Sequence, residues 1–130
     1  MTWATVILLG SFTPALATDC STATTQAAMN NCAADDFQSA DRKLNATYKE
    51  ITSRLQALEP ARQLLVKSEQ AWIQFRDSEC MFATSGARDG SAYAMLVNQC
   101  KADLTRERTK RLEAYLRCEE GDLSCPVPAR

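Results

Sequence analysis

Six cysteines, at positions 20, 32, 80, 100, 118 and 125, carry the most distinctive chemistry in this chain. A thiolate can ligate zinc, attack an electrophile or pair oxidatively with a second thiol. Two of these uses fail on composition and spacing. Zinc sites draw on closely spaced cysteines or on imidazole, and here there is no Cys-x-x-Cys pair and no histidine. The same absence removes Cys-His and Ser-His-Asp nucleophile pairs. Disulfide formation is left, and it needs an oxidising compartment. Carboxylates offer little more. Asp77 and Glu79 are two residues apart and do not face each other on a helix, so they make a poor glycosidase-type pair. No catalytic residue, metal or cofactor is therefore expected, and the chain does not read as an enzyme.

A second set of residues is polar and helically spaced. Asp41, Asn45 and Tyr48 stand at i, i+4 and i+7, on one flank of an apolar stripe. Further on, Gln70, Trp72, Arg76, Asp77 and Cys80 cluster within three turns. Arg76 is expected to pair with Asp41 across two helices, with Asn45 filling the remaining hydrogen bonds. The cluster reads either as a binding site or as a buried polar network that sets helix register. The second reading is favoured, because such networks are costly unless satisfied but can specify packing. The triplet Asn45-Ala46-Thr47 matches a glycosylation acceptor but falls inside a predicted helix.

Three amphipathic segments must position these residues. The first spans about residues 24–58, with Phe37, Ala40, Leu44, Tyr48, Ile51, Leu55 and Leu58 on one stripe. Its length allows an overhang beyond the other helices, or a kink near residues 33–37. The second begins near Pro60 and runs to about Phe82, with Leu65, Trp72, Phe75 and Phe82 near one face. Residues 85–91 hold two glycines and break the pattern. The third spans about residues 92–117, capped by Ser91, with Tyr93, Leu96, Cys100, Leu104, Leu112 and Tyr115 near one stripe. Its surplus of Lys and Arg is interleaved with acids and reads as a solvated face. No strand-like alternation of useful length appears. The expected fold is all-α, a small antiparallel bundle of three long helices stapled by disulfides. Many pairings of six cysteines are possible. Helix geometry favours Cys80–Cys100 across the second hairpin, Cys20–Cys32 by a fold-back onto the first helix, and Cys118–Cys125 around Gly121.

The compartment follows from the N-terminus. Residues 1–17 form an apolar run too short to span a bilayer, ending in Ala15-Leu16-Ala17, the small-x-small pattern of a signal-peptide cleavage site. Residues 1–17 contain no Lys or Arg, so only the α-amino group supplies positive charge there. The division expected is a signal peptide over 1–17, a helical domain over 18–118 and a tail over 119–130. The mature protein is then exported, periplasmic or secreted, and does not span a membrane. Lys+Arg totals 15 against 16 Asp+Glu, a net charge of −1, which argues against nucleic acid as a partner.

The order of motifs resembles the N-terminal domain of LprI-type lysozyme inhibitors of bacteria. The residues that carry it are Asp19-Cys20, Gln26 and Cys32; Ala40-Asp41, Leu44-Asn45 and Tyr48; Gln70-Ala71-Trp72, Phe75-Arg76-Asp77 and Cys80; Gly90-Ser91; Cys100; and Leu104-Thr105, Arg108 and Leu112. The resemblance implies an all-helical fold, suggests the pairings Cys20–Cys32 and Cys80–Cys100, and points to lysozyme as partner. A disulfide-stabilised module for another envelope component is the alternative. A retaining muramidase cleft carries two carboxylates and is shaped for an extended polar chain. Any inhibition is expected to run through residues 85–91, the alternative being an ordinary hairpin connection that needs its glycines for the turn. Arg88 would approach the cleft carboxylates, and Ser85 or Ser91 would bond where sugar hydroxyls sit. Asp89 weakens the local positive potential.

Overall fold

A computed structural model describes residues 20–129. The expected signal peptide lies outside the described residues. Three α-helices account for most of the chain: α1, Gln26–Arg54; α2, Ala61–Ala83; and α3, Tyr93–Leu116. Short 3-10 turns occupy Cys20–Thr22 and Ser85–Ala87, and no strand occurs among the described residues. The expected all-α class and three-helix architecture are thus observed. Thr25 starts α1, its hydroxyl accepting from the Ala28 amide at 3.1 Å. α1 then runs as one continuous helix for 29 residues, through residues 33–37. It stops at Arg54 rather than near 58, and Leu58 is exposed. The proposed Ser91 cap is not made. Ala92 holds the N-cap position of α3 with no side-chain bond, while the Ser91 carbonyl accepts from Asn30 Nδ2 at 3.2 Å.

The helices run up, down and up. Cross-links between α1 and α3 advance together along both, from Asp36–Arg106 (3.0 Å) to Lys43–Glu113 (3.3 Å), so these two are parallel. α2 runs against both. The α1–α3 pair is the more intimate. Ala33, Ala40 and Thr47 on α1, and Ala102, Thr105 and Thr109 on α3, are all buried. Small side chains let two helix axes come close, whereas α2 stands farther off and reaches its neighbours with long side chains. The main core joins Leu44, Ile51, Leu55 and Leu112 to Val127, with Leu65, Trp72 and Tyr115 packed around it. Each large apolar side chain buried there is worth about 1.5–3 kcal/mol. Val127, at 3% exposure, shows that the non-helical tail folds back over the bundle.

Two of the three expected stripes need correction. On α2, Phe75 and Phe82 are 55% and 76% exposed. Leu65 and Trp72 face inward as expected, but the line runs on through Glu69, Arg76 and Cys80, with steps of four, three, four and four from Leu65. The stripe was misread because two of its members are charged. On α3, the fully buried positions are Ala102, Thr105, Thr109 and Leu112. Tyr93, Leu96, Cys100, Leu104 and Tyr115 are only partly buried.

All six cysteines are paired, as Cys20–Cys32, Cys80–Cys100 and Cys118–Cys125, with Cα separations of 5.6, 5.6 and 5.7 Å. These are the three expected bridges. By chain entropy, a loop of this size contributes about 2–4 kcal/mol.

Candidate functional site

The polar residues read from the sequence gather where α2 faces α1 and α3. Arg76 is 7% exposed and sits at the centre. Its Nε donates to Asp77 Oδ1 at 2.9 Å and its Nη1 to Asp41 Oδ1 at 3.4 Å. Asn45 Nδ2 donates to the other oxygen of Asp41 at 3.0 Å. The guanidinium carbon lies 5.0 Å from the Phe37 ring centre and 5.2 Å from that of Trp72. Such a site suits Arg, whose weakly hydrated plane can stack and fork at once. Lys101 of α3 adds a second cation, 3.3 Å from Asp77. Burial pushes the Asp77 carboxyl up, but the Arg76 hydrogen bond and the charges of Arg76 and Lys101 outweigh it. The group is held below its ordinary value of 3.8.

Asp41, Asn45, Trp72, Arg76 and Asp77 therefore meet as one layer. Tyr48 packs against the core and, among the described residues, makes no hydrogen bond to Asp41 or Asn45. Beside the layer a groove of about 380 Å³ runs between α1 and α2, lined by Asp41, Asn45, Tyr48, Glu69, Gln70 and Arg76.

Sequence reasoning missed a second ion pair. Glu69, 6% exposed, accepts from Arg108 Nε at 3.0 Å and lies 2.9 Å from its Nη2. Both contacts go to Oε2, and Oε1 is buried with no hydrogen-bond partner among the described residues. Ser68 Oγ accepts from Arg108 Nη2 at 3.1 Å. The signal lay in position: Glu69 falls four after Leu65 and three before Trp72, on the inward line. The basic residues of α3 are accordingly not one solvated face. Lys101 and Arg108 turn inward, and Arg106 bridges to Asp36, while Lys110, Arg111 and Arg117 remain exposed.

Residues 85–91 lie at the end of the bundle, away from this layer. Ser85, Arg88, Asp89 and Ser91 are exposed. Ala87 and Arg88 amides bond back to Thr84 and Ser85 carbonyls at 2.9 and 3.3 Å, so the connection is a bonded turn rather than a slack loop. The Cys80–Cys100 bridge ties α2 to α3 at its base. Arg88 makes no ion pair among the described residues. Those residues also hold no group of three or more Cys, Asp or Glu able to bind a metal ion. No helix among them is long and apolar enough to cross a membrane.

This arrangement is that of a small helical domain stapled by cystines, with Arg76, Glu69, Lys101 and Arg108 engaged in packing the helices together. Residues 17–112 match the family described as Lysozyme inhibitor LprI, and the chain belongs to that family. An uncharacterized protein of Rhizobium meliloti strain 1021 is 37% identical over 114 residues, covering 79% of this chain and 82% of its own. The crystal structure of a DUF1311 family protein from Pseudomonas putida KT2440 superimposes with a TM-score of 0.63 at 29% identity. It covers 70% of this chain and 92% of the other.

Proposed function

We propose that the protein is exported to the periplasm or secreted, with residues 1–17 removed, and there binds and inhibits a lysozyme without catalysing a reaction itself. Family membership supports the class of target. Three disulfides fit an oxidising compartment. The observation that carries the inhibitory surface is Arg88. It is an exposed cation without an ion pair among the described residues, on a bonded turn pinned by Cys80–Cys100. A muramidase cleft offers two carboxylates to such a group. Ser85 and Ser91 flank it with hydroxyls suited to positions that sugar hydroxyls would take. The polar layer around Arg76 then holds the helices that carry this turn.

The test is lysozyme turbidity clearance of cell walls, with and without the purified protein and its Arg88→Ala variant. Wild type is expected to slow clearing, and the variant to lose most of that effect while melting like wild type. Full inhibition by the variant would move the site off this turn. No inhibition by wild type would leave a cystine-stapled module for another envelope component.

A further inference from the structure

α2 carries an exposed stripe that the monomer leaves uncovered. Leu64, Ser68, Ala71, Phe75, Ser78 and Phe82 recur at steps of four, three, four, three and four. This is the spacing of a helix–helix seam, about 27 Å long at 1.5 Å per residue. Leu64, Phe75 and Phe82 are 62%, 55% and 76% exposed. Only Lys67 and Glu79 bring charge to its edges, and Met81 flanks it, also exposed. Aromatic and Met enrichment with few charges marks the centre of interfaces rather than ordinary surface.

The order of steps reads the same in both directions. A two-fold axis at the midpoint therefore brings the stripe into register with an antiparallel copy of itself. Ala71 would then oppose the partner's Phe75, small against large, and Ser68 the partner's Ser78. Leu64 would oppose the partner's Phe82. Beside Leu64 the molecule has a mainly apolar cavity of about 210 Å³, lined by Ile51, Leu55, Leu65 and Val127, with Ser68 and Arg108 also in its wall. A cavity of about 150 Å³ already accommodates benzene. The most exposed ring among the described residues thus meets a phenyl-sized recess on the other copy, and the symmetry forms that contact twice.

We propose that the protein forms a two-fold homodimer through antiparallel α2 helices, with Phe82 of each chain seated in the cavity beside the other chain's Leu64. A phenyl ring buries about 150–250 Å². Each chain contributes two such rings, partly exposed in the monomer, together with Leu64 and Met81, and these supply a large part of the about 800 Å² per partner that a stable interface needs. An isologous contact of this kind closes on itself and stops at two chains. It does not use Arg88 and stands apart from the inhibitory reading.

Sedimentation equilibrium of the purified protein over a concentration series tests the proposal. Wild type is expected to approach twice the monomer mass. F75S and F82S should each weaken dimerisation about tenfold or more, as expected for central anchors, with melting of the monomer unchanged because both rings are exposed. Orientation is tested by charge. S68E/S78K places opposite charges against each other in the antiparallel pair and like charges in a parallel one, so it should preserve the dimer, and S68E/S78E should dissociate it. A wild type that stays monomeric throughout overturns the proposal. So does a dimer indifferent to F75S and F82S, or one that S68E/S78K breaks while the monomer remains folded.

Discussion

Arg76 joins two kinds of contact, an aromatic sandwich between Phe37 and Trp72 and hydrogen bonds to Asp77 and Asp41. A fully buried ion pair that loses one partner costs about 3–5 kcal/mol. Here both carboxylates are 41% exposed, and water can take over their hydrogen bonds. Arg76→Ala should therefore cost less, about 2–3 kcal/mol, mainly through lost packing and cation–π contact. Urea unfolding of wild type and variant measures this, and an unchanged midpoint would mean that the layer does not hold the helices. Asp77 makes the layer sensitive to acid. Its carboxyl titrates lower in the folded protein than its ordinary 3.8. The stabilisation it contributes is present above that value and is lost as pH falls through the lower, folded one. The melting temperature of wild type should drop more steeply below pH 3.8 than that of Asp77→Asn.

The helices show where pattern suffices and where chemistry hides it. Ala40, Leu44, Ile51 and Leu55 of α1 are apolar at helical spacing, and they are buried as that spacing requires. The Asp41–Arg76 pairing was legible too, since two complementary charges stood on neighbouring faces. On α2 the inward line passes through Glu69 and Arg76, and an apolar reading slides off it onto Phe75 and Phe82. Glu69 and Arg108 compensate each other only once the helices pack, and neither residue alone discloses that. On α3 the line passes through threonines, whose small size matters more there than their polarity. Thr109 returns its hydroxyl to the Thr105 carbonyl at 2.8 Å. Thr105 is wholly buried between α1 and α3, and its own hydroxyl has no partner among the described residues. Valine has nearly the same shape and no hydroxyl to leave unpaired. Thr105→Val should therefore stabilise the α1–α3 pair by about 1 kcal/mol, read as a raised urea midpoint at unchanged slope. A lowered midpoint would show that the hydroxyl is satisfied in solution.

At the scale of the molecule, two parallel helices form a close pair and the third is hung across them by long side chains. The tail returns to seal the end of the core with Val127. Each disulfide closes a short stretch, with sequence separations of 12, 20 and 7, so covalent stapling is local and the packing of α1 on α3 rests on side chains alone. The bridge of separation 20 has an additional effect, because it spans the one connection that presents Arg88 to solvent. A trypsin-like protease that clips after Arg88 severs the backbone but not the molecule, since Cys80 and Cys100 lie on opposite sides of the cut. The nicked protein should migrate as one species on a non-reducing gel and as two fragments once reduced. Separation without reductant would mean that this bridge is open in solution. The exposed turn can thus be cut by a protease while the two halves stay held together.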